Sequence, residues 1–244
     1  MRNIKLVIEY DGTNYAGWQR QNDVPTIQGK VENAISKITS EVVQIIGCSR
    51  TDAGVHAKGY IANFYTSSRI QEKKFKAAIN SRLPKDIIIL DSSEVEEAFH
   101  SRYNSKGKTY SYTILNSVDS IAIGKDYVYH YKYPLNVDKM QKGAKYLLGK
   151  HDFSTFKSMG SSVKTSVRTV TELNVIKDGN LIRIYASADG FLYNMVRIMV
   201  GTLIDVGSGK TNPETVSEIL MAKDRSRARV CAPPQGLCLE KVYY

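Results

Sequence analysis

The feature that most constrains the fold of this chain is an alternation of strand-like and helix-like patterns of apolar residues in both halves. In residues 4–10 the apolar side chains recur at every second position, as in a half-buried β-strand. After Thr26, a residue type that caps helices, apolar side chains form one helical stripe over residues 27–38. The same two patterns return in residues 108–115 and 137–148. The sequence therefore predicts the α+β class, with helices on one face of antiparallel or mixed sheets.

The two halves predict two α/β domains, each with about four strands and two helices. The polar stretch Asn104-Ser105-Lys106-Gly107 is the natural boundary, which gives domains 1–106 and 107–244. Within the first domain, residues 42–46 and 60–66 are predicted strands on either side of a loop around Asp52.

The charge of the chain favours a polyanionic partner. Its 244 residues carry a formal net charge of +10, and the sequence pI is about 9.3. Such an excess suits nucleic acid or an anionic membrane surface. No apolar segment is long enough to span a membrane. The three cysteines and the lack of a signal-peptide pattern favour the reducing cytoplasm.

Conventional catalytic and cofactor motifs do not assemble in this sequence. The segment Gly207–Thr211 resembles the end of a phosphate-binding loop, but Ile204 stands where that motif needs a glycine. The H-x-E and P-C-x-x-C motifs of zinc nucleobase deaminases do not occur. Asp52 and His56 have a spacing that would suit metal ligands on a helix, and Gly54 disfavours a helix there. A carboxylate is therefore the leading candidate for a reactive group.

Asp52 has two interpretations. In the first it is a turn residue, because Thr51-Asp52-Ala53-Gly54 has the composition of a turn. In the second it is a reactive carboxylate, held in its charged state by a nearby cation. Arg50 is close in sequence, and Arg197 lies in an apolar helical segment, where an arginine needs a carboxylate or a polar cleft. The residues alone leave both interpretations open.

Several segments, in the same order along the chain, resemble those of one enzyme family. SRTDAGVHAKG, residues 49–59, is similar to the R-T-D-A-G-V-H-A signature of the tRNA pseudouridine synthase A family. The segments EYDGTNYAGWQRQ, KTYSYTI, GKHDFSTF and FLYNMVRIMVG also resemble family segments, and together they extend over nearly the whole chain.

This resemblance implies a role for five residues. Asp52 corresponds to the catalytic aspartate, and Tyr110 to the tyrosine whose ring stacks on the target base. Arg197 corresponds to the arginine that pairs with the aspartate, and Arg50 to a residue that helps to flip the nucleotide. Leu237 corresponds to the aliphatic residue that packs against the base.

The resemblance also implies an RNA substrate, with isomerisation of uridine to pseudouridine in the anticodon stem-loop of tRNA. It further implies an RNA-binding cleft between the two domains, a homodimer, and no requirement for a cofactor or a metal. The sequence departs from the family pattern at Ser49 and Tyr60, positions that we expect near the substrate. A paralogue acting on another RNA such as rRNA, and a non-catalytic RNA-binding protein, are therefore the alternatives. A metal-dependent nuclease using Asp52 and His56 is the weakest of the hypotheses.

Overall fold

A computed structural model describes residues 1–160, 163 and 165–244 of the chain. The fold is mixed α+β, and the chain divides into two compact units. The first contains Met1–Lys106 together with Cys238–Tyr244, and the second contains Gly107–Leu237. The sequence-based division assigned residues 238–244 to the second domain, whereas in the structure they belong to the first unit.

The first unit is built on a sheet in which β1 lies between β3 and β4. Its elements in chain order are β1 (Arg2–Tyr10), α1 (Ile27–Thr39), β2 (Ile46–Gly47), β3 (His56–Thr66), α2 (Lys74–Asn80) and β4 (Ile87–Val95). Strand β1 is antiparallel to both of its neighbours, and the short β2 pairs with β3. Ile4, Leu6 and Ile8 of β1 are fully buried, in agreement with the predicted alternation.

The second unit has its own strand series, in the order β5-β9-β8-β7. Its elements are β5 (Gly107–Leu115), β6 (Tyr129–His130), α3 (Val137–Lys145), β7 (Gly149–Asp152), β8 (Val167–Asp178), β9 (Leu181–Ala188), α4 (Met195–Gly207) and α5 (Thr215–Met221). The dipeptide Asp178-Gly179 between two strand-like segments predicts a hairpin, and β8 and β9 form it. Gly179 in the turn has a φ of 57°.

The last strand, β10 (Leu237–Tyr243), returns the chain to the first unit. Cys238 and Leu239 pair in parallel with His56 and Ala57 at the start of β3. The residue after β10 also binds the first unit, because the hydroxyl of Tyr244 donates to the Ser101 carbonyl at 2.6 Å. The segment LCLEKVY predicts a strand, but the sequence does not indicate its pairing with β3, which lies about 180 residues earlier in the chain.

The local predictions of helices and strands hold in part. The Thr26 hydroxyl accepts the N–H of Gly29 at 3.3 Å, which confirms it as the cap of α1. The strand predicted at 42–46 is reduced to Ile46–Gly47, because the Ile45 N–H donates to the Glu32 carboxylate at 3.1 Å instead of joining a ladder.

Two further elements differ from the sequence-based expectation. The apolar run DIIIL, residues 86–90, predicts a short buried strand, but Ile88 and Leu90 of β4 are exposed because one face of this strand meets solvent. The apolar residues of 191–206 predict one long helix, but α4 begins only at Met195, because Asn194 adopts a left-handed φ of 61° that excludes it from the helix. None of the helices in the described part of the chain is both long and apolar enough to cross a membrane.

Candidate active site

Asp52 lies in the loop between β2 and β3, residues 48–55, which we call the aspartate loop. The N–H of Val55 donates to the Asp52 carbonyl at 3.2 Å, and Gly54 has a φ of 76°. These two features make a tight turn over Asp52–Val55, one residue later than the turn composition of Thr51–Gly54 indicates. The Asp52 side chain is partly accessible, and Arg50 is exposed. The turn thus brings a carboxylate and a guanidinium to one accessible loop.

The aspartate loop is held by backbone hydrogen bonds on two sides. The N–H of Cys48 donates to the Ile61 carbonyl of β3 at 2.9 Å. From the segment after β1, the N–H of Trp18 donates to the Thr51 carbonyl at 3.1 Å. Because backbone hydrogen bonds fix the arm of the loop before Asp52 at two points, Asp52 is presented from a rigid support.

Two glycines allow the segment after β1 to approach the aspartate loop. A Cβ on Gly12 would lie 2.0 Å from the Val55 carbonyl oxygen. A Cβ on Gly17 would lie 2.5 Å from the Thr51 carbonyl oxygen, and Gly17 also has a φ of 91°. No other residue type fits these contacts without moving the loop. The glycines of the EYDGTNYAGW segment therefore have a structural explanation.

His56, the first residue of β3, follows the aspartate loop directly and connects it to the segment after β1. Its side chain is buried, and Nδ1 accepts the backbone N–H of Gly12 at 3.1 Å. Asp11 Oδ1 lies at the same distance from Nδ1, so the His56 ring contacts the segment after β1 at two neighbouring residues. Across the described residues, no three His, Cys, Asp or Glu side chains come together as a potential metal site.

Tyr60, one of the two departures from the family pattern, is fully buried. Its ring stacks on Trp18 with centroids 3.9 Å apart, and its hydroxyl donates to the Ser49 carbonyl. The fully buried ring is not available for a direct contact with RNA, and the expectation that this position lies near the substrate stays a prediction. Sequence reasoning missed this arrangement, because the stacking partner lies 42 positions away in the chain.

Tyr110 lies on β5 in the second unit, where it pairs with Ala186 of β9. Its side chain is 7% exposed, and its ring meets Phe191 edge to face, with centroids 5.3 Å apart at 90°. An aromatic edge contact orients a tyrosine ring without covering both of its faces. Sequence reasoning named Tyr110 and missed Phe191, although the FLYNMVR segment contains it.

Arg197 lies in the first turn of α4, a helix whose other side chains are mostly buried. Its Nε donates to the Ala232 carbonyl at 2.7 Å, and its Nη1 donates to Asn194 Oδ1 at 2.9 Å. The N–H of Ala232 in turn donates to the Arg197 carbonyl at 3.0 Å. These contacts provide the polar surroundings that an arginine in an apolar helix requires.

Arg197 and Tyr112 both bind the segment from Ala232 to Leu237, and the charge of Arg197 acts on the Tyr112 hydroxyl. Burial raises the pKa of Tyr112, and the positive charge of Arg197 partly opposes this effect. The Tyr112 hydroxyl donates to the Pro233 carbonyl at 2.7 Å. A Cβ on Gly236 would lie 2.7 Å from the Tyr112 ring, so only glycine fits before the buried Leu237.

The five residues that the sequence nominated are thus divided between the two units. Asp52 and Arg50 lie on the aspartate loop of the first unit. Tyr110, Arg197 and Leu237 belong to the second unit.

Comparison with known proteins assigns the chain to a family. The family model described as tRNA pseudouridine synthase matches residues 6–104 and 144–244. Residues 105–143, which contain Tyr110, lie between the two matched stretches.

Full-length relatives cover the intervening residues as well. The chain is 59% identical over 244 residues to tRNA pseudouridine synthase A 2 of Clostridium perfringens, with all of both chains covered. It is 54% identical to tRNA pseudouridine synthase A of Clostridium acetobutylicum and 50% identical to that of a Thermoanaerobacter strain, again with full coverage of both chains. A chain from the crystal structure of a Cbf5-Nop10-Gar1 complex aligns with a TM-score of 0.38 at 12% identity, covering 96% of this chain and 57% of that chain, which is too weak to support a conclusion. On the family model and the full-length relatives, this chain belongs to the tRNA pseudouridine synthase family.

Proposed function

We propose that this protein converts uridine to pseudouridine in the anticodon stem-loop of tRNA, at positions 38–40, with Asp52 as the catalytic residue. The observation that carries the proposal is the rigidly supported, partly accessible Asp52 in a chain whose full-length relatives are tRNA pseudouridine synthases A. A carboxylate on a rigid support suits a reaction that depends on exact placement of the reacting atoms.

The reaction is an isomerisation and needs no external reactant. The bond between N1 of uracil and C1′ of the ribose breaks, the uracil rotates, and C5 bonds to C1′. C5 then loses its proton, and N1 gains one, so the atoms balance. The target nucleotide must first leave the stack, which costs a few kcal/mol. Asp52 initiates the cleavage, and this proposal requires neither a metal nor a cofactor.

The other nominated residues have supporting roles in this proposal. Tyr110 stacks on the uracil, and its hydroxyl accepts the C5 proton while releasing its own, so that the net transfer is of one proton from C5 to N1. Leu237 packs against the same base. Arg197 balances the charge of Asp52. Arg50, exposed two residues before Asp52, takes the space that the flipped nucleotide leaves in the stack.

The partners in the proposal follow from charge and family. The net charge of +10 provides affinity for the tRNA backbone, so binding should weaken steeply as salt is raised. We further propose that two copies form a homodimer, that the RNA binds in a cleft between the domains, and that the enzyme works in the cytoplasm.

Mapping of pseudouridine tests the proposal directly. Purified protein is incubated with unmodified tRNA transcripts and, separately, with rRNA, and pseudouridine is located in each product. We expect modification within positions 38–40 of tRNA. Modification confined to rRNA would identify a redirected paralogue, and no modification of any RNA by folded protein would refute the proposed reaction.

The variant Asp52→Ala separates an enzyme from a protein that only binds RNA. We expect it to bind tRNA as the wild type does and to form no pseudouridine. Asp91→Ala, at an exposed aspartate on β4, is the matched control and should remain fully active. Activity that survives in Asp52→Ala would remove Asp52 from the catalytic role.

A further inference from the structure

An aromatic cluster lies beneath the aspartate loop and connects two strands to it. Tyr10, Trp18 and Tyr60 are 2%, 2% and 0% exposed. The Tyr60 ring stacks on Trp18 at 3.9 Å with an interplanar angle of 25°, and its centroid is 5.7 Å from that of Tyr10. Stacked rings enclosed in this way have little freedom to move, so Tyr60 is a rigid support.

The hydroxyl of Tyr60 ends at the backbone of the aspartate loop. It donates to the carbonyl of Ser49, three residues before Asp52. The residue before Ser49 is also fixed, because the Cys48 N–H donates to the Ile61 carbonyl next to Tyr60 on β3. Ser49 is therefore the last residue before Asp52 that strand β3 binds directly. The orientation of its carbonyl fixes the peptide plane from which the backbone continues to Asp52.

The neighbouring sequence leaves room for this hydrogen bond. A Cβ on Gly47 would lie 2.1 Å from the Tyr60 hydroxyl oxygen and 2.6 Å from Trp18 Nε1. Glycine at position 47 thus permits both the stack and the approach of the hydroxyl to the loop. Gly47, Trp18 and Tyr60 therefore pack together as one cluster beneath the aspartate loop.

From this geometry, and resting on the proposed function above, we propose that Tyr60 is a positioning residue for Asp52. Its hydroxyl holds the Ser49 carbonyl and thereby sets the path of residues 49–52, which carry both Arg50 and the reactive carboxylate. The two departures from the family pattern, Ser49 and Tyr60, are then a single unit joined by a hydrogen bond. Displacement of a reacting group by about 1 Å can lower a rate by up to about 100-fold.

Tyr60→Phe tests the proposal, with Tyr65→Phe as the matched control. Both tyrosines lie on β3, and both hydroxyls donate to a backbone carbonyl; that of Tyr65 reaches Glu97 at 2.9 Å. Each substitution removes one oxygen and keeps the ring, so both variants should fold. Single-turnover rates of pseudouridine formation, tRNA affinities and melting temperatures are measured for both variants and the wild type.

We expect Tyr60→Phe to slow the single-turnover rate at least about tenfold, with tRNA affinity within about twofold of the wild type. Tyr65→Phe should keep the wild-type rate. Equal rates in the two variants, or a change in Tyr60→Phe confined to melting temperature, would overturn the positioning role. If the wild type and Tyr65→Phe both lack activity on every RNA, the proposed function itself fails, and the inference fails with it.

Discussion

The hydroxyls of Tyr10 and Thr51 lie 2.8 Å apart in a buried hydrogen bond. Tyr10 is the last residue of β1, and Thr51 immediately precedes Asp52. The Thr51 carbonyl is bound separately by the Trp18 N–H at 3.1 Å. The residue before the candidate catalytic carboxylate is therefore held through both its side chain and its backbone by the end of one strand and the segment that follows it.

Thr51→Val tests the side-chain part of this attachment. The substitution keeps the shape of the residue and removes the hydroxyl that Tyr10 contacts, so the free energy of unfolding should fall by about 1 kcal/mol. Loosening at Thr51 should also slow pseudouridine formation. Thr202→Val is the control, because Thr202 donates a comparable buried hydrogen bond to Ile198 in α4. It should lower stability similarly and leave the single-turnover rate unchanged; equal rate losses in both variants would contradict this prediction.

Gly17→Ala should displace the aspartate loop. The new Cβ would lie 2.5 Å from the Thr51 carbonyl oxygen, and the φ of 91° adds backbone strain of about 1–2 kcal/mol. Gly124→Ala is the control, since Gly124 has a similar φ of 81° and a Cβ added there would meet no atom within 4 Å. Urea denaturation and single-turnover assays should show a small stability loss in Gly124→Ala and losses of both stability and rate in Gly17→Ala. Full activity in Gly17→Ala would show that the loop tolerates this movement.

Arg197→Met should reduce the rate of pseudouridine formation about 100-fold or more, if Arg197 balances the charge of Asp52 as proposed. In an Asp52→Asn background the same change should have little further effect, because residues that act as a unit are not additive. Arg183→Met is the control, since Arg183 lies 3.7 Å from Asp178 in an exposed ion pair that contributes little. If Arg197→Met slows the Asp52→Asn variant as much as it slows the wild type, Arg197 does not act through Asp52.

Asp152 should contribute to stability in a pH-dependent manner. Hydrogen bonds from the Ser154 hydroxyl and N–H, at 2.6 and 3.0 Å, hold the pKa of Asp152 below its ordinary value of 3.8. A carboxyl whose pKa is lowered by folding stabilises the protein above the ordinary value, and this contribution is lost as the pH falls through the lowered pKa. Asp152→Asn should therefore lower the urea midpoint at neutral pH and have a shrinking effect in acid. An effect that is independent of pH would contradict the assignment.

Local sequence determined much of this protein. The cap at Thr26, the turn at Asp52–Val55 and the β8–β9 hairpin follow from residues close in sequence, because capping and turn chemistry depend on near neighbours. The charge excess and the SRTDAGVHAKG segment likewise sufficed to nominate Asp52 and a nucleic-acid partner. The roles of Asp52 and the other four nominated residues remain predictions.

The tertiary structure decided what depends on contacts between distant segments. Ile45 leaves the predicted strand because Glu32 of α1 binds its N–H, and residues 238–244 join the first unit because their strand pairs with β3. Tyr60 is a buried support beneath the aspartate loop, since Trp18 and Ser49 meet it there. Neither periodicity nor residue type encodes such partners, because each contact depends on how separate elements pack together.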